Sequence, residues 1–202
     1  MKNFFILLFI LLSSFTLRAQ EFDKQIDKAR SAYESGNYEE SRFAVLNALH
    51  EIDIKIGQEV LALLPVKIES LSFDKSADYI TGTDLGYAGL YIGRTWRSSG
   101  IETLSLSVIG DSPLLTSVNA FLALPIIMAS ADSNQKKIKV EGNRAMLERN
   151  VDEESGKTSG YSLMIPSGNS MLQLNYTGEI SEENFLSMVK QIPVANVIKK
   201  SQ

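Results

Sequence analysis

From Glu21 to about Leu64 the chain carries no proline and little β-branching, and its apolar residues recur every three or four positions. Phe22, Ile26, Ala29, Ala32 and Tyr33 form one stripe, and Tyr38, Val45, Leu49, Ile52, Ile56 and Val60 form a second. That is the period of amphipathic helices. Ser35-Gly36-Asn37 between the stripes joins a helix stop to a new start. The pattern predicts two antiparallel helices.

After Pro65 the period changes. Val66 to Phe73 reads as a strand, and Thr81 to Gly93 is punctuated by Gly82, Gly86, Gly89 and Gly93. Tyr91 to Trp96 and Ile101 to Ile109 form a hairpin through Arg97-Ser98-Ser99-Gly100, because Leu104, Leu106 and Val108 alternate with Thr103, Ser105 and Ser107. Asp111-Ser112-Pro113 opens a helix with Ser112 as cap and Pro113 in the first position. Leu114 to Leu124 is apolar enough to predict a helix buried on most sides. Lys137–Val140, Arg144–Asn150, Tyr161–Pro166 and Met171–Thr177 read as strands, the last two joined by Ser167-Gly168-Asn169. Ser181-Glu182-Glu183 caps a closing helix carrying Phe185, Leu186, Val189 and Ile192, which stops before Pro193. The expectation is an α+β protein: an N-terminal two-helix hairpin over residues 20–64, then a mainly antiparallel sheet packed with two helices over 65–202.

Residues 1–19 read differently. Lys2, the apolar run Phe4 to Leu12 and Leu17-Arg18-Ala19 have the layout of a secretory signal peptide cut after Ala19, with Leu17 an imperfect fit at the small-residue position. The run is too short for a bilayer core of about 30 Å. Removal leaves 183 of the 202 residues and takes away Lys2 and Arg18, so 18 Lys and Arg face 24 Asp and Glu, a net charge of −6. An exported acidic chain is a poor partner for nucleic acid, whose phosphates need clustered cations. Lys136-Lys137-Lys139 and Lys199-Lys200 read as solvated charge. With no cysteine, the sequence excludes a disulfide scaffold, thiol catalysis, iron–sulfur clusters, thiolate metal sites and a lipid anchor at the cut; one histidine excludes multi-histidine metal centres. No cofactor, metal or stable membrane anchor is expected, and the location is periplasmic or secreted.

Ala32-Tyr33-Glu34-Ser35-Gly36-Asn37-Tyr38-Glu39-Glu40-Ser41, continuing to Ala48-Leu49 and Asp53, resembles a single tetratricopeptide repeat. Small residues at Ala32, Ser41 and Ala48 let two helices approach, and one repeat cannot bury its own face. The hairpin must dock on its own sheet domain or on a partner. From Lys137 to Ile198, Gly142-Asn143-Arg144-Ala145, the acidic turn Asp152-Glu153-Glu154 and Ser181-Glu182-Glu183 are similar to the C-terminal half of Mog1/PsbP-like domains. The whole mature chain, with Gly110-Asp111-Ser112-Pro113-Leu114-Leu115, resembles a family of uncharacterised exported bacterial proteins that set a helical lead-in before such a domain. The resemblance implies a fold and a compartment, and brings no catalytic residue.

Candidate chemistry is sparse. His50 lacks a nucleophile or orienting acid that the helix could aim at the same point. The glycine series matches no phosphate loop and is explained by a bent strand or close backbone approach. Asp111-Ser112 reads as a cap, and Asp152-Glu153-Glu154 as a turn lacking a calcium loop's spacing. No catalytic, cofactor-binding or metal residue is assigned. Phe43, Leu46 and His50 are candidates for a partner-binding surface on the hairpin. Tyr87, Tyr91, Arg94 and Trp96 are candidates for a shallow ligand surface, with core packing as the other reading. The expected role is non-catalytic binding of another envelope protein or component. The alternatives are a carrier of a small apolar ligand between the sheet and helix 113–124, or a hydrolase whose Asp, Glu or Ser residues cannot be paired from sequence. The leader reading sets a test: intact-mass analysis of the exported product gives a chain beginning at Gln20, and a product retaining Met1 overturns it.

Overall fold

The computed structural model of the chain describes residues 20–83, 89–124 and 134–202. Tyr87, Gly86 and residues 1–19, for which a leader is expected, lie outside them. Two compact units emerge: residues 20–55 with 81–83, and residues 56–80 with 89–124 and 134–202.

In the first unit, helix α1 (residues 20–34) ends at a turn and helix α2 (Tyr38–Leu63) begins. Gly36 adopts φ 79°, a left-handed conformation that closes α1, and Asn37 N donates to the Ala32 carbonyl at 2.8 Å. Asn37 Oδ1 accepts from Glu40 N at 3.2 Å, capping α2. The helices meet through small residues. Ala29, Ala32, Ser41, Ala44 and Ala48 are buried, and Ser41 Oγ donates to the Ala29 carbonyl at 2.9 Å. The expected approach of the two helices through Ala32, Ser41 and Ala48 is thus observed. The larger apolar stripe of α2 does not face α1, because a close helix approach admits only the small-residue side, and Tyr38, Val45, Leu49 and Ile52 stay exposed.

Among the described residues, the second unit is built on one sheet of nine strands, antiparallel along its main path. These are β1 (Lys67–Ile68), β2 (Leu71–Phe73), β3 (Tyr79–Thr81), β4 (Tyr91–Arg97), β5 (Thr103–Gly110), β6 (Gln135–Val140), β7 (Asn143–Val151), β8 (Thr158–Ser167) and β9 (Ser170–Thr177). Their order is β1-β2-β4-β5-β9-β8-β7-β6, with β3 also paired to β4. The expected strand Val66–Phe73 is thus a tight hairpin, turned at Glu69, whose φ is 49°. At the other edge, Glu141 and Gly142 take φ 45° and 84°, the left-handed pair of a type I′ turn.

Register sends Leu104, Leu106 and Val108 of β5 to the same face as Leu172, Leu174 and Tyr176 of β9 and Tyr161, Leu163 and Ile165 of β8. This face is the main core. It is covered by Val60 of α2 and Leu64 just after that helix, by α4 (Glu182–Val189) through Phe185, Met188 and Val189, and by α5 (Val194–Lys200) through Val194, Val197 and Ile198. Phe185 stacks on Tyr161 with centroids 5.4 Å apart. Each fully buried large apolar side chain contributes about 1.5–3 kcal/mol. Ser181 caps α4 as its sequence predicts, accepting from Asn184 N at 3.2 Å. Helix α5 is an addition to the expected elements, and the Glu141 carboxylate accepts from Ala195 N at 2.6 Å in its first turn.

Helix α3 (Leu115–Ala123) lies on the opposite face, where Val118 and Leu122 pack with Met146, Met164 and Met171. Two expectations are corrected here. The helix begins two residues after Pro113, with Ser112 Oγ accepting from Leu114 N at 3.3 Å. It is not buried on most sides, since Val118 and Leu122 are its only buried residues while Thr116, Ser117, Asn119 and Ala120 are exposed; a sheet offers one flat surface, and one stripe of a helix covers it.

At the β4 edge a single guanidinium fixes several segments. Arg94 is 7% exposed and binds Asp78 through two hydrogen bonds, Nε to Oδ1 at 2.9 Å and Nη2 to Oδ2 at 2.6 Å. Its Nη1 donates to the Leu64 carbonyl at 3.1 Å, and its plane lies 4.9 Å from the Phe73 ring centroid. Beside it Trp96 is wholly buried and its Nε1 donates to the Pro65 carbonyl at 2.8 Å. Arg94 and Trp96 therefore belong to the core, and of the two readings of this cluster theirs is packing. Removing one partner strands the other charge, so Asp78→Ala is expected to cost about 3–5 kcal/mol in urea denaturation. The double variant Asp78→Leu/Arg94→Met is expected to recover part of it. A single-variant loss under about 1 kcal/mol, the surface-pair range, sinks this role.

Candidate functional site

Three places bring chemistry-bearing side chains together. The first is on the hairpin. Tyr33 and Tyr38 are each 65% exposed, with rings in edge contact at 5.5 Å, and Val45, Leu49 and Ile52 are 44%, 43% and 42% exposed. On α2, Val45, Leu49 and Ile52 follow at spacings of 4 and 3 residues and are neighbours on one face, and Tyr38 stands on the same face two turns before Val45 with the exposed Arg42 between them, so the apolar positions span about 21 Å. The expected contacts fall elsewhere on the same helix. Phe43 is 37% exposed with Lys28 Nζ 5.8 Å from its centroid, and Leu46 and His50 are half-buried. His50 is packed at Gly82, where an added Cβ would lie 2.9 Å from its Nδ1. Asp53 next to it is occupied by Thr83 N at 2.6 Å.

The second place is an open depression of about 1000 Å³ at one end of the sheet, lined among others by Glu69, Glu102, Lys157, Tyr176, Glu179 and Asn184. Tyr176 donates its hydroxyl to Glu102. Burial first, and then the Glu102 carboxylate, push its phenol above the ordinary range. Among the described residues, no group of three His, Cys, Asp or Glu is gathered so that it could hold a metal ion. Asp111 and Ser112 lie in neither place. Asp111 N and Oδ1 are both tied to Asn169, and Ser112 is buried with its hydroxyl on Leu114 N. Asp152 turns back onto Ser155, whose hydrogen bonds lower its pKa.

The third place is the sheet face opposite the main core, beyond the patch that α3 covers. Tyr91 and Gly93 point to this face, alternating with the buried Ile92 and Arg94. An added Cβ on Gly93 would lie 2.1 Å from the Tyr79 ring, so Tyr79 is laid flat over the glycine. Only glycine leaves room for this. Tyr79 stacks on Tyr91 with centroids 5.0 Å apart and planes at 20°, and is itself 38% exposed. Of the four residues expected at a ligand surface, Tyr91 stands here, Arg94 and Trp96 are in the core, and Tyr87 is outside the described residues. Tyr79 went unpredicted, although the aromatic and β-branched run Tyr79-Ile80-Thr81 was a strand signal.

Comparison with known proteins adds no relative: no family model, no curated protein and no solved structure matches the chain. No described helix is long and apolar enough to cross a membrane.

Burial, followed by the hydrogen bond with Tyr91, also raises the Tyr79 phenol. For a group whose folded pKa is raised, the unfolded chain ionises first, near pH 10, so stability is complete below that and falls as pH rises further. Phenolate absorbance should therefore show two phenols ionising late, and Tyr79→Phe and Tyr176→Phe should each remove one. A titration in which both variants leave the late phase unchanged contradicts this assignment.

Proposed function

We propose that this is an exported, non-catalytic binding protein that recognises a partner protein through its N-terminal hairpin. The observation that carries this reading is the apolar strip Tyr33, Tyr38, Val45, Leu49 and Ile52, left at 42–65% exposure because small residues close the hairpin. A lone helical repeat has nothing to stack on, and a contiguous exposed apolar patch is the usual mark of an interaction surface. The strip's straight course and helical spacing fit an amphipathic helix laid alongside α2. Eight acids against five bases over residues 20–55 favour basic flanks on that helix.

Helices on both faces of an antiparallel sheet support a Mog1/PsbP-like reading of the second unit. The signal-peptide layout read in residues 1–19 supports export to the periplasm or beyond.

A photo-crosslinking residue at Leu49, expressed in the native cell, is expected to yield one defined adduct with an envelope protein. Val45→Glu/Ile52→Glu, at exposed positions that leave the hairpin interface intact, should reduce that adduct at least tenfold, while a probe at Ile101, 85% exposed, should not form it. Adducts with a second copy of this chain alone, or a yield the double variant does not change, overturn the reading.

A further inference from the structure

The face that carries Tyr79 and Tyr91 has a chemistry the hairpin does not share. The pairing register places Thr95, Ser105, Asn175, Ser162, Glu148 and Gln135 in one row across β4, β5, β9, β8, β7 and β6. With strands about 4.8 Å apart, that row runs about 24 Å. Beside it, Gly93 under the Tyr79 ring is followed by Ser107 and Gln173, and on its other side Thr103 is followed by Thr177. Over β5 and β9 these rows contain hydroxyls and amides and no charge; on β8 they continue into the buried Ser162, whose hydroxyl accepts from Asn150, and into Met164 and Gly160, while Arg97, Lys137 and Glu148 stand on the outer strands β4, β6 and β7. Gln173 Nε2 donates to Asn175 Oδ1 at 3.2 Å, which holds both amides in place.

An antiparallel sheet often turns one face to water, and that accounts for polarity alone. It does not account for a charge-free centre in a chain that is 22% charged, or for an aromatic pair set flat at its border. Each class of occupant makes its own demand. A nucleic acid or other polyanion needs cations along its path, and these strands have none. A protein interface has an apolar or aromatic centre, and here the centre is hydroxyl and amide. An uncharged chain of sugars has hydroxyls for Ser, Thr, Asn and Gln and C–H faces for a tyrosine ring.

We propose that this sheet face binds an extended, uncharged glycan strand. The strand runs along the row from Thr95 through Ser105 to Asn175, with a terminal or branching sugar on Tyr79. The site shares no residue with the hairpin strip.

The test uses the mature chain in calorimetric titration with two probes, the β-1,4-linked hexamers of glucose and of N-acetylglucosamine. At least one should bind, with an affinity unchanged between 50 and 500 mM salt because no counterions are released. Asn175→Ala and Tyr79→Leu should each weaken it at least tenfold, and Val45→Glu/Ile52→Glu should leave it unchanged. Ser107→Glu, which sets a charge into this face beside Gly93, should abolish binding while the thermal midpoint stays near that of the parent. The proposal fails if neither hexamer binds, if binding falls steeply with salt, or if Asn175→Ala and Ser107→Glu bind as the parent does. A failure here with the Leu49 adduct intact removes the glycan site and leaves the hairpin reading standing.

Discussion

Among the described residues Arg94 is the one charged side chain that is buried, and the β4 edge is organised around the need to satisfy it. A guanidinium taken out of water costs several kcal/mol unless its donors are used. Asp78 meets two of them, the Leu64 carbonyl a third, and Phe73 covers the plane. These come from the turn after β2, the end of α2 and β2 itself, so one charge joins three separate segments to β4. Trp96 next to it repeats the device with the Pro65 carbonyl. A polypeptide leaving a helix has unpaired carbonyls, and here two side chains of one strand receive them.

That edge also settles what the two faces of the sheet can be. With Arg94 and Trp96 turned to the core, alternation sends Tyr91, Gly93 and Thr95 to the other face. Gly93 then leaves the space into which Tyr79 is laid, so the aromatic border of the polar face follows from the same register as the ion pair. On the far side of that face three methionines seat α3, and Lys137 Nζ reaches the Leu122 carbonyl at 3.2 Å, at the end of the helix where a cation is favoured. The main core face and the polar face are thus made of alternate residues of the same strands.

Local features were legible. The helix break at Gly36, the Ser181 cap, the hairpin of Tyr91–Trp96 with Ile101–Ile109 and the strands from Lys137 to Thr177 depend on neighbours a few residues away, and their signals lie in the same few residues. Helix α5 was missed although Val194, Val197 and Ile198 have helical spacing, because seven residues after Pro193 give a short periodic record. The contact between α1 and α2 was legible in the small residues Ala32, Ser41 and Ala48, whereas what lies against the apolar stripe of α2 was not. Apolar spacing marks a face without saying what lies against it, and the small residues at 41, 44 and 48 won the contact with α1.

The sequence by itself determined the α+β class, the hairpin, most of the strands and the absence of thiol and multi-histidine chemistry, because composition and short-range periodicity carry that information. Tertiary structure alone decided which side chains meet. Asp78 finds Arg94 across 16 positions, Tyr79 finds Gly93 across a break in the edge strand, and Thr95, Ser105, Asn175 and Ser162 become one row only through strand register. Register depends on the summed burial of whole strands, so no single pair of residues announces it. The places proposed here for binding are of this second kind.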